Sequence, residues 1–179
     1  MTAPSGKIVA PFKWTWAPSD TDQDRIRILG GWSVLNITSF ACEPLARWTK
    51  NRSRIVTLNH SVKEPFLKLW EAWEKEDLLE LLTESLERKG QKPAWAGGWV
   101  PRYKRGAAHD QNPRNLSTHA SGHAFDICPA GYPLGRAVPM DDIMHALADV
   151  AKEHGWFWGG KFATRPDGMH FQHVSSPFP

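Results

Sequence analysis

The longest regular pattern in this 179-residue chain runs from Glu64 to Arg88, and its spacing predicts helix. Phe66, Leu67, Trp70 and Trp73 recur at three- and four-residue steps, which puts them on one face of a helix. Leu78, Leu79, Leu81, Leu82 and Leu86 continue the pattern in a shifted phase, so a break is expected near Lys75-Glu76. Gly90 is the C-terminal stop. A further helix is expected from Asp141 to His154, with Ile143, Leu147 and Val150 on one side. Acids open it, and Lys152 and His154 close it, as the helix dipole favours. Short β-prone runs surround these helices. Arg25 to Leu29 and Val34 to Ser39 read as a hairpin about Gly30-Gly31. Ile55 to Leu58, Trp95 to Tyr103, Gly122 to Cys128 and Met169 to Val174 read as extended segments. The first 20 or so residues read as an irregular lead-in, and Ala107 to Asn115 as a polar loop. Helices and strands mixed without a regular βαβ alternation indicate an α+β fold, a small antiparallel sheet flanked by helices.

The length suits one domain with one core. A net charge of +3 favours an anionic partner only weakly; basic residues cluster at Arg102, Lys104 and Arg105, without a long Lys/Arg run. Ten tryptophans are many for this length. They are expected chiefly in core and loop packing, with the wall of a sugar or peptide groove as the functional alternative. Cys42 and Cys128 make neither a disulfide framework nor a metal knuckle and are expected as free thiols, with a single Cys42–Cys128 bridge left open. Met1 to Trp16 lacks a basic region followed by an apolar run, so synthesis in the cytoplasm without a secretory signal is expected. No segment approaches the ~18 apolar residues of a membrane span.

Chemistry concentrates in Ser117-Thr118-His119-Ala120-Ser121-Gly122-His123-Ala124-Phe125-Asp126 and, far downstream, in Asp167-Gly168-Met169-His170. Zinc favours nitrogen and carboxylate oxygen in tetrahedral geometry, with one position left to water in catalytic sites. His119, Asp126 and His170 supply that donor set. Strand alternation puts Ala124, Asp126 and Cys128 on one face and His123, Phe125 and Ile127 on the other, which removes His123 from the set. Gly122 lets the preceding loop fold back to bring His119 near. His170 and Gln172 share a face, and His173 points away. Asp167, in a Pro166-Asp167-Gly168 turn, is a spare carboxylate beside a ligand. Cys128 is expected as a small buried residue.

These residues resemble the M15 peptidase family, which comprises D-alanyl-D-alanine carboxypeptidases and L-alanyl-D-glutamate endopeptidases of bacteria and phages. Ser117, His119, Gly122, Ala124, Asp126, Asp167 and His170 meet its two motifs. The likeness extends to Trp158-Gly159-Gly160, to His170-Phe171-Gln172 and to Trp99-Val100-Pro101-Arg102, and covers roughly Phe66 to Gln172. It implies a hedgehog/DD-peptidase-like fold and one zinc ion on His119, Asp126 and His170, with Asp167 as catalytic acid/base. It further implies that Arg102, or Arg105, stabilises an oxyanion or holds a substrate carboxylate. Ser117, Arg105, Trp158 and Gln172 are expected to bind substrate or support the ligands. Asp in place of Glu at 167, and His-Phe-Gln in place of His-x-His, are closer to the endolysin-type branch. The implied organisation is a single peptidase domain over 1–179, with 61–179 the family-like core and 1–60 an N-terminal extension of unassigned role.

The implied function is a monomeric zinc peptidase acting on peptidoglycan stem peptides, as an L-Ala–D-Glu endopeptidase or a D,D-carboxypeptidase. A phage or prophage lysin, acting at the cell wall after lysis or as part of a virion, would account for the missing signal. The alternative is a non-catalytic, zinc-stabilised binding module, which would keep the three ligands without needing Asp167. Nucleic-acid binding through Trp99, Arg102, Tyr103, Lys104 and Arg105 is the third reading, disfavoured because the patch is short and the net charge modest.

Overall fold

The computed structural model describes residues 15–31 and 35–177. Among these, the elements in chain order are β1 (Thr15–Pro18), β2 (Ile26–Gly30), β3 (Ile37–Ala41), α1 (Glu43–Trp48), β4 (Ile55–Asn59), α2 (Lys63–Lys75), α3 (Leu78–Arg88), β5 (Trp95–Gly97), β6 (Ala124–Ile127), α4 (Met144–Glu153), β7 (Trp156–Trp158) and β8 (His170–His173). The fold is α+β, and every pairing of strands is antiparallel. No helix among the described residues is long and apolar enough to cross a membrane.

The Glu64–Arg88 pattern folds as α2 and α3, broken at the expected place, where Asp77 turns left-handed (φ 58°). Phe66, Leu69, Trp70 and Trp73 form the buried stripe of α2. Each such side chain stabilises the fold by roughly 1.5–3 kcal/mol through burial. On α3 the buried face is Leu78, Leu79, Leu82 and Leu86, whereas Leu81, expected in the same stripe, points outward and is 43% exposed. Helix α4 begins at Met144, later than Asp141; Asp142 instead accepts from Met144 N (3.0 Å) ahead of its first turn.

The four-stranded sheet has the order β5-β6-β8-β7. Strand alternation gives it two different faces. Phe125 and Ile127 of β6 and Phe171 of β8 point into the core, where Phe125 and Phe171 stack at 5.3 Å between ring centroids. Phe66 and Trp73 of α2 meet these rings edge-on at 5.1 and 5.4 Å. Asp126 of β6 and His170 of β8 therefore lie on the opposite face.

The N-terminal strands pair differently from the expected hairpin. Strand β2 pairs with β1, inside the segment read as an irregular lead-in, and β3 pairs with β4 across α1. Alternation in a strand sets its faces but leaves its partner open. Residues 1–14, and Val34 at the start of the expected second strand, lie outside the described residues. A smaller apolar cluster, including Trp16, Ile26, Ile28, Leu35, Tyr103 and Leu116, holds the β1–β2 hairpin against the chain that follows β5. Cys42 and Cys128 are buried free thiols, and burial pushes them up to about 11 and about 12.

Candidate metal centre

The register of the sheet assembles two of the three donors. Asp126 and His170 are direct cross-strand partners, so their side chains leave the same face of adjacent strands. His119 arrives from a 3-10 turn, Thr118–Ser121, just ahead of β6. Ser117 caps that turn, its hydroxyl accepting from His119 N at 3.4 Å. Gly122 ends it in the left-handed region (φ 74°), and a Cβ there would lie 2.6 Å from Asn59 N. Only glycine meets both demands. The turn thus rests on the end of β4, where Asn59 N donates to Gly122 O at 2.9 Å.

His119 Nε2, Asp126 Oδ1 and His170 Nδ1 form a nearly equilateral triangle. The two nitrogens are 3.1 Å apart, and the carboxylate oxygen lies 3.1 Å from His119 and 2.9 Å from His170. Tetrahedral zinc with bonds of about 2.0–2.1 Å needs donors roughly 3.3 Å apart, a few tenths of an ångström wider. The outer nitrogens are oriented to suit. His119 Nδ1–H donates to Gly98 O at 2.6 Å, which leaves Nε2 as an acceptor facing the triangle. His170 Nε2–H donates to Gln172 Oε1 at 3.2 Å, with Thr118 Oγ1 at 3.3 Å. Such outer partners fix the tautomer of metal-binding imidazoles. Gly98 packs so tightly on β4 that a Cβ would lie 2.6 Å from Thr57 O, so the carbonyl that orients His119 is itself held by the β3–β4 hairpin.

Electrostatics ask for a cation at the same point. Burial alone would raise the Asp126 carboxyl, but His119 and His170 outweigh it and hold the acid well below the usual carboxylate range. Burial likewise disfavours charge on His170, and the hydrogen bond and charge of Asp126 overcome it, raising the imidazole. A metal ion bound there would displace any proton that the pair holds. Two imidazole nitrogens, one carboxylate oxygen and two oriented outer N–H groups fit a divalent ion of the zinc class.

The donors face a cleft of about 750 Å³. Asp126, Asp167, His170, Gln172, Ser117, Arg102 and Arg105 line it, with His119 buried behind them. Asp167 Oδ1 is buried and receives no hydrogen bond among the described residues. Its carboxyl is raised by burial, which the nearby His170 opposes and the like charge of Asp126 reinforces. Arg102 is half-buried and donates to Tyr103 O at 3.3 Å. Burial lowers its pKa, and the attraction of Asp126 works against that.

Other expected residues sit elsewhere. Trp158 does not line the cleft; its buried indole donates to Gly168 O at 2.9 Å and braces the turn that carries Asp167. No tryptophan among the described residues lines the cleft, so the groove-wall alternative does not apply there. His123 bonds Ser121 and His173 bonds Ser175, both away from the donor triangle. Cys128 leaves the strand with φ 52° and joins the core instead of sharing Asp126's face. Tyr103 is fully buried, which removes a stacking surface from the basic stretch. The cleft also contains residues the sequence reading passed over: Thr118, Lys161, Phe162 and Arg165. Arg165 stands two residues before Asp167, and that adjacency was the available signal. The Gly98 carbonyl left none, since a backbone acceptor has no side-chain signature.

Residues 110–173 match the family model described as D-alanyl-D-alanine carboxypeptidase. No curated protein matches the chain. The matched segment contains His119, Asp126, Asp167 and His170 and excludes Arg102. This segment carries the three donors and Asp167, and its match supports an M15-family peptidase.

Proposed function

We propose that the chain is a zinc peptidase that hydrolyses peptide bonds in bacterial peptidoglycan stem peptides, with His119, Asp126 and His170 holding the ion. The observation that carries this reading is Asp167 Oδ1, a buried carboxylate oxygen without a hydrogen-bond donor, in the same cleft as the three donors. Leaving a buried charged acceptor unmet costs several kcal/mol on the scale of ~1–3 or more per group. A binding module has no use for that expense, whereas a proton acceptor needs a free lone pair.

When bound, zinc supplies Lewis acidity and brings the pKa of a water toward ~7. The protein's own groups do the rest. Asp167 accepts a proton from the attacking water and returns it to the leaving amine, so that one water is consumed and one amide becomes an acid and an amine. Its raised pKa makes it a stronger base than an ordinary carboxylate. Arg102 holds the oxygen on which negative charge develops, or a carboxylate of the substrate, and its half-burial strengthens that attraction. Gln172 and the Gly98 carbonyl keep the two imidazoles oriented.

The described chain is read as one peptidase domain, because the β3–β4 hairpin supports the His119 turn through Gly122 and Gly98. The setting is the cell wall, in the lysin role that the sequence resemblance implies. Digestion of purified peptidoglycan with and without chelator, followed by mass analysis, tests the proposal and names the bond. New amino and carboxyl termini within the stem peptide are expected, and the chelator should abolish them. Binding to the wall without any new terminus would refute the reading in favour of a binding module.

A further inference from the structure

The cleft is more basic than the protein as a whole. Its lining contains Arg102, Lys104, Arg105, Lys161 and Arg165 against the carboxylates of Asp126 and Asp167. A divalent ion on the donor triangle makes the balance more positive still. The cations come from two separate places in the fold. In the sheet order β5-β6-β8-β7, the donors Asp126 and His170 sit on the two central strands. Arg102 to Arg105 follow edge strand β5, and Lys161 to Arg165 follow edge strand β7. Positive charge therefore flanks the donor triangle on both sides.

Two of these cations are uncommitted. Among the described residues, neither Arg105 nor Arg165 pairs with a carboxylate, and both are exposed at the cleft. Lys161 reaches Asp149 only at 3.5 Å, on an exposed surface where such pairs contribute little. The lining of the same cleft also contains Leu134, Phe162 and Met169. Apolar surface together with fork-shaped donors suits small apolar side chains set between carboxylates. It does not suit a polyphosphate, whose charge is continuous.

We infer that the cleft selects acidic peptides bearing a carboxylate on each side of the scissile bond, with Arg105 and Arg165 as specificity-determining residues for the two carboxylates. This rests on the reading of the cleft as a peptidase site. Arg165 reads the carboxylate on the β7 side and Arg105 the one on the β5 side, while apolar contacts hold the segment between them. Neither arginine touches the reacting atoms; each sets which peptide is held.

The test uses the zinc-loaded full chain and four synthetic peptides of one sequence: the diacid, the two single carboxamides and the double carboxamide. Dissociation constants are measured by calorimetry on the Asp167→Asn protein, so that turnover does not intrude, and kcat and KM on the wild type. The diacid is expected to bind at least tenfold more tightly than the double carboxamide, with the difference shrinking as salt rises. Arg165→Gln is expected to erase discrimination at one carboxylate and Arg105→Gln at the other, through KM with kcat nearly unchanged. Arg165→Lys should restore most of it. Equal binding of all four peptides would overturn the inference, as would unchanged ratios in both variants, or duplex DNA competing more tightly than the diacid. Selective binding of the diacid without cleavage would uphold the charge reading and refute the peptidase reading alone.

Discussion

Two clusters of buried acid show opposite designs. At the end of α3, Asp142 accepts from Tyr132 Oη (2.9 Å), Lys89 Nζ (2.6 Å) and Met144 N (3.0 Å). Burial would raise this carboxyl, but the Lys89 hydrogen bond, Met144 N and Tyr132 together lower it. In the cleft, Asp167 has an oxygen with no donor, and its carboxyl moves the other way, raised by burial. The same side chain serves the fold where donors surround it. Where they are withheld, it keeps a lone pair for whatever enters. The histidines repeat the contrast. His170 faces Asp126 and is raised, whereas His123, four residues after His119, faces Ser121 and is lowered to about 4.

The sharpest way to break the comparison is Asp167→Asn. Loss of general-base catalysis is expected to reduce hydrolysis about 10²–10⁴-fold. Zinc content should stay the same, and thermal stability should be unchanged or higher, because an unmet charge is removed. A destabilised Asp167→Asn protein would place Asp167 with Asp142 as a structural acid.

His123 gives the next effect. Its imidazole is lowered by burial, which the Ser121 carbonyl opposes and His173 reinforces. Above pH 6.5 it is neutral in both folded and unfolded chains and contributes nothing to pH dependence. Between pH 6.5 and about 4 the unfolded chain takes up a proton that the folded chain refuses, so stability falls with acidification by roughly 3 kcal/mol. Denaturant melts across that window should show the slope in the wild type and a flatter one in His123→Gln. Parallel slopes would mean that His123 is not held neutral.

Asp142→Asn is the smallest change. It should cost about 1–3 kcal/mol at pH 7, discounted toward the lower end because Lys89 is 38% exposed and screened by salt. The folded carboxyl is lowered, so its contribution is present above the unfolded pKa near 4 and is lost as pH falls through the folded value. The two proteins should therefore converge in stability at low pH, with kcat within about threefold throughout. A large loss of kcat at full stability would join this cluster to the chemistry.

Much of the centre was legible because its geometry is local. Strand alternation separates His170 from His173 and Asp126 from His123, and a glycine at 122 marks the fold-back that delivers His119. The helical stripe of Phe66, Trp70 and Trp73 was legible for the same reason, since i, i+4, i+7 spacing needs no knowledge of the partner. What could not be read depends on contacts between distant segments. β2 alternates equally well against β1 or against the strand after Gly31, and contacts with distant segments decide, among them packing with Tyr103 and Leu116 and the bond from Ile26 N to Pro101 O. The support that the β3–β4 hairpin gives to His119 passes through the backbone at Gly98 and Gly122, which leaves no pattern of its own in residues 37–59. α1 is a six-residue helix, too short for periodicity to mark.

The most direct measurement is zinc stoichiometry by elemental mass spectrometry after exhaustive dialysis, on the wild type, His170→Ala and His173→Ala. Convergence of His119, Asp126 and His170 on one ion predicts one zinc per chain in the wild type and in His173→Ala, and almost none in His170→Ala. A wild type without zinc, or a His170→Ala protein that retains it, would contradict the account.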